Sequence, residues 1–99
     1  MTKQLTERQA WKVIAEAYET ERDDRTELQN DIAGDGICFG LDVLYSGKKI
    51  SEQTYDGIRE TIGFEQRYLN VGWLCGWERE DDLLRAQYCW LNYFMLGGE

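Results

Sequence analysis

Ninety-nine residues with 42% apolar and 13% aromatic content exclude a disordered chain despite 30% charge, and are the size of one domain. A net charge of −8 with no histidine disfavours nucleic-acid backbones and anionic membranes as general partners, and removes the commonest general base and metal ligand. Three cysteines without CxxC spacing, no signal-peptide core in MTKQLTERQAWK and no long apolar run lead to the expectation of a cytoplasmic protein without a membrane span.

With no proline, and glycines placed mostly where helices would end, the chain is predicted to be all-α. The expected architecture is a single compact domain over 1–99 with four helices, at about 6–22, 36–46, 51–64 and 81–96. Residues 1–35 are a capped N-terminal helix and an acidic loop, and 36–99 the helical core. Thr6 and Gln9 have the spacing of a capping box, and Trp11, Ile14, Ala15 and Tyr18 form one apolar stripe behind it. The stripe fades in ETERDDRTELQND, where only Leu28 is offered to a core, so a solvated helix end passing into a loop is expected there.

The glycines around Gly34-Asp35-Gly36 predict a turn, after which Ile37, Leu41, Leu44 and Tyr45 share a helical face and Gly47 caps the end. Gly40, inside that helix, costs up to about 1 kcal/mol relative to alanine, and close approach of another helix is its expected compensation. Ser51 is placed as the N-cap of a third helix, with Tyr55, Ile58 and Ile62 inward. Residues 65–80 are expected to be a longer aromatic loop carrying Trp73 and Trp77. The fourth helix carries one stripe of Leu84, Tyr88, Leu91 and Met95 and a second of Leu83, Trp90 and Phe94. Only Arg85 and Asn92 mark a clearly polar side. So wide an apolar arc belongs either to the centre of a core or to a subunit contact. Trp77, Leu84, Tyr88, Trp90, Leu91 and Phe94 are therefore the candidate partner or subunit interface, and a homo-oligomer is expected.

No catalytic residue, metal site or cofactor is indicated. There is no GxSxG, Walker loop or GxGxxG fingerprint. Asp31, Asp35, Gly36 and Asp42 match part of a calcium-loop template, but Ala33 supplies no ligand and Asp42 replaces the bidentate glutamate. Cys75 is followed by an acidic turn that disfavours its thiolate. More specific are cations beside aromatics. Arginine forks bind phosphate and aromatic faces stack bases, so Arg59, Arg67 and Arg85 with Tyr55, Tyr68 and Trp73 form a candidate site for a small nucleotide. The ordinary alternative at each position is a salt bridge to one of the nineteen acids, or an arginine snorkelling at the rim of an apolar stripe.

The order Gly36-Ile37-Cys38, Leu41, Leu44, Gly47, Ile50-Ser51, Thr54-Tyr55, Ile58, Ile62, Tyr68, Trp73, Arg85 and Trp90-Leu91 resembles a pattern in small phage-encoded helical proteins. That resemblance, over about residues 36 to 91, implies a non-enzymatic counter-defence protein in the host cytoplasm. Sequestration of a nucleotide immune signal by a homo-oligomer is the first mechanism it suggests. The second is inhibition of a host effector such as a nuclease, by a protein contact or by acidic mimicry of nucleic acid, and the third an accessory role in phage assembly or regulation. Mimicry fits the charge less well, because residues 1–36 carry nine acids against five bases and residues 37–99 ten against six, with no acidic half.

Overall fold

The computed structural model describes residues 3–34, 36–68 and 78–97, the side chains of 64–68 excepted. Its elements are α1 (Glu7–Glu19), a 3-10 turn (Arg22–Asp24), α2 (Glu27–Ile32), α3 (Ile37–Ser46), α4 (Glu52–Tyr68) and α5 (Arg79–Leu96). The fold is thus an all-α compact domain, with a radius of gyration of 12.6 Å beside about 13 Å for a typical 100-residue domain.

Each helix begins where its local chemistry places it. The Thr6 hydroxyl accepts from the Gln9 amide at 3.2 Å while the Gln9 side chain accepts from the Thr6 amide at 3.0 Å, the reciprocal bonds of a capping box. The same device recurs between Thr26 and Gln29, at 3.1 and 3.0 Å, and starts α2. Here the structure corrects the expected acidic loop. The segment contains a 3-10 turn and a short helix, and it is Ile32 that is buried while Leu28 remains 43% exposed. Ser51 caps α4 by accepting from the Thr54 amide at 3.1 Å. That helix runs to Tyr68 rather than 64, and α5 starts at Arg79 rather than 81. The rest of the expected aromatic loop, with Trp73, Cys75 and Trp77, lies outside the described residues, as does Asp35.

Two glycines are fixed by geometry. Gly36, at φ 116°, holds a backbone that other residues rarely adopt and turns the chain into α3. A Cβ on Gly40 would lie 2.7 Å from the Ile32 carbonyl oxygen and 2.9 Å from its Cγ2, so α3 crosses the end of α2 in close contact. At the other end of α3 the Lys49 amide donates to Leu44 O at 2.8 Å and the Lys48 amide to Tyr45 O at 3.0 Å, in a Schellman-type cap. Gly47 is the C-cap, but the left-handed position falls one residue later, on Lys48 at φ 57°. The chain then runs past Leu5, whose amide donates to Lys49 O at 2.8 Å.

The core gathers Trp11, Ile14, Ala15 and Tyr18 of α1, Ile32 of α2, Ile37, Leu41 and Leu44 of α3, Ile50 just ahead of α4, Ile58 and Ile62 of α4, and Ala86 and Cys89 of α5. Helix α5 lies antiparallel along α1. Near the start of α1, Arg8 donates to Tyr93 O at 3.2 Å and its guanidinium sits 3.8 Å from the Tyr93 ring centroid. Midway, Trp11 and Tyr88 meet edge to face at 5.7 Å. At the far end Arg79 donates to the carbonyls of Tyr18, Glu19 and Thr20, which are final acceptors of α1.

Candidate functional site

The face that α5 turns inward is not the one its hydropathy suggests. Its buried residues are Asp82, Arg85, Ala86 and Cys89. Asp82 sits in the first turn, where a carboxylate suits the positive end of the helix, and it is held by two cations. Arg25 Nη2 lies 3.2 Å from one carboxylate oxygen and Arg85 Nη1 3.2 Å from the other, with every side chain in the triad 5–6% exposed. Arg25 also donates to the carbonyls of Ala17, Tyr18 and Thr20, so it stitches the end of α1 to the start of α5. The Arg85 guanidinium lies 5.6 Å from the centroid of the buried Tyr18 ring. Burial raises the Tyr18 phenol and the Cys89 thiol well above their ordinary ranges, which leaves both protonated and unreactive at neutral pH.

The candidate nucleotide residues are therefore distributed. Arg85 lies inside, committed to Asp82. Arg59 and Tyr55 lie together on α4, where Tyr55 and Tyr45 rings are 4.6 Å apart. The Tyr55 hydroxyl donates to Asp42 at 2.6 Å and accepts from Arg59 at 2.6 Å. Donation to Asp42 is the main cause that raises the Tyr55 phenol, and the bond Arg59 donates to the Tyr55 hydroxyl is the main cause that raises Arg59. Among the described residues Arg59 and Arg85 share no hydrogen-bond or ion-pair partner, and the carboxylate of Asp42 beside Tyr55 opposes an incoming phosphate. Arg67 and Tyr68 are in the last turns of α4 with side chains outside the described residues, and Trp73 lies outside them altogether.

The candidate interface residues divide by face. Tyr88 and Trp90 are half-buried against α1, the Trp90 indole donating to Glu19 at 3.1 Å. Leu84, Leu91 and Phe94 point away from the core at 51, 56 and 66% exposure, joined by Leu83 at 45% and Met95 at 83%. Gln87 is exposed among them and Trp77 lies outside the described residues. Between this face and α1, a groove of about 430 Å³ is lined by Glu19, Leu83, Ala86, Gln87, Trp90 and Phe94. Leu83, Gln87 and Met95 were legible as neighbours of Leu84 and Leu91 at helical spacing, but not as outward-facing, because their orientation follows from the burial of Asp82 and Arg85.

Among the described residues no group of three or more Cys, Asp or Glu side chains is arranged to hold a metal ion, and no helix is long and apolar enough to cross a membrane. Compared with protein-family models, curated proteins and solved structures, the chain matches none.

Proposed function

We propose that this chain is a non-enzymatic binding protein of the phage counter-defence kind, working by stoichiometric contact with a protein chain through the outer face of α5. The observation that carries the reading is the exposure of five large apolar side chains along one face of a helix whose opposite face is already packed. Spread singly, exposed leucines are ordinary; five on one face over about 18 Å of helix form a contact patch. The setting is the host cytoplasm and the functional unit a homo-oligomer. Because the patch is apolar, it fits contact with a protein chain better than mimicry of nucleic acid.

Sequestration of a nucleotide signal is the second reading, favoured by the exposed Arg59 beside Tyr55. Phage plating on hosts carrying nuclease-based or nucleotide-signalling defences separates the two. Wild-type protein and Arg59→Ala are expected to restore plating on the nuclease-defended host, and Leu84→Glu/Leu91→Glu to fail. Full activity of the double variant, with loss of activity in Arg59→Ala, overturns the first reading in favour of the second.

A further inference from the structure

We infer that the outer face of α5 is covered by a second copy of this chain, as an antiparallel α5 pair about a two-fold axis level with Cys89. The inference rests on the reading of that face as a protein-contact surface and names its occupant.

The first support is the spacing of the face. In a two-fold antiparallel pair each position meets the one equally far beyond the axis, on the same flank. Around position 89, Leu83 then lies against Phe94 of the other copy on one flank and Leu84 against Met95 on the other, each pair equidistant from the axis to within one residue, about 1.5 Å, and differing by about 20° on the helical wheel. Gln87 and Leu91 meet at the centre. The apolar positions thus map onto one another under reversal, as a two-fold contact requires.

The second support is charge. Glu80 sits in the middle of the same outward face, one turn before Leu84. A parallel pair would set the two Glu80 carboxylates against each other, with the first-turn acid Asp81 close by. In the antiparallel pair each Glu80 lies beyond Leu96, the last helical residue of the other copy, and far from the other Glu80. Helix dipoles are opposed favourably in the same arrangement.

Area is the third support. The exposed parts of the five apolar side chains come to on the order of 600 Å² per copy, so pairing removes on the order of 1,200 Å², the lower bound of specific interfaces. The groove of about 430 Å³ beside Leu83 and Phe94 gives the flanking side chains of the other copy a place to seat. An interface of this size between chains of net charge −8 should be of micromolar strength and strengthened by salt, which screens the repulsion.

Disulfide trapping tests the pairing in a Cys38→Ser/Cys75→Ser background. Leu83→Cys and Phe94→Cys chains are expected to cross-link when mixed, several-fold faster than either alone, and faster still at raised salt. Cross-linking of Leu83→Cys to itself in preference to Phe94→Cys, or a wild-type mass of one chain throughout the micromolar range, overturns the pairing. A monomeric wild type whose plating activity is still lost in Leu84→Glu/Leu91→Glu means that the face contacts another protein, so the inference fails and the proposed function stands. A monomer whose activity survives that substitution overturns both.

Discussion

Replacing Asp82 by asparagine removes one charge and leaves two buried guanidinium groups facing a neutral amide. Arg25 keeps its bonds to the carbonyls of Ala17, Tyr18 and Thr20, so it is only partly orphaned. Arg85 has Asp82 as its ion-pair partner, at 3.2 Å and 6% side-chain exposure, and it loses that compensation. Removing one member of a buried ion pair costs about 3–5 kcal/mol, because the remaining charge is left desolvated. A domain of this size holds only about 5–15 kcal/mol in all, so the loss corresponds to a drop in Tm on the order of 15 °C. Arg85→Met in the Asp82→Asn background removes the stranded charge and is expected to restore at least about 1 kcal/mol, a non-additivity expected of residues in one network. Urea denaturation followed by far-UV circular dichroism, at one fixed protein concentration, measures both. The reasoning is refuted if Asp82→Asn lies within about 1 kcal/mol of wild type, or if the second substitution only adds further loss.

Three further outcomes follow from local geometry. Gly40→Ala, which in an open helix would stabilise by about 1 kcal/mol, is expected to lower stability by about 1–3 kcal/mol because its Cβ meets the Ile32 carbonyl; a rise in Tm would contradict the close crossing. Lys48→Gly relieves a left-handed lysine and should raise stability by about 1 kcal/mol in the same denaturation experiment. Stability should fall with alkaline pH. Cys89 and Tyr18 have folded pKa values raised by burial, so their contribution is intact below the unfolded values of 9.0 and 10.0 and is lost above them. The slope reaches about 1.4 kcal/mol per pH unit for each group, and Cys89→Ala should move the onset from near 9.0 toward 10.0.

How much of this was legible in the sequence depends on the range of the interaction involved. Local signals were readable. The Thr6–Gln9 box, the Trp11 to Tyr18 stripe, the Ser51 cap and the need for a close neighbour at Gly40 all appear in the structure. The helix at Glu27–Ile32 carries the same Thr-x-x-Gln signature, but with so few apolar residues its periodicity was too short to register. The orientation of α5 was not readable. An apolar stripe predicts burial only where no stronger demand sets the rotation. Here Asp82 must meet Arg25, 57 residues earlier in the chain, and Arg79 must cap the carbonyls of α1. Those pairings turn Arg85 inward and Leu84, Leu91 and Phe94 outward. The same rotation buries Arg85 against Asp82, while Arg59 is exposed on α4 beside Tyr55.

The central claim is that the outward face of α5 is an association surface, and light-scattering mass of Leu91→Glu beside wild type tests it most directly. Wild type at micromolar concentration should give twice the single-chain mass of 11.6 kDa, and Leu91→Glu, with unchanged helical dichroism, should give 11.6 kDa. A wild type that already measures 11.6 kDa, or a variant that keeps the doubled mass, contradicts it.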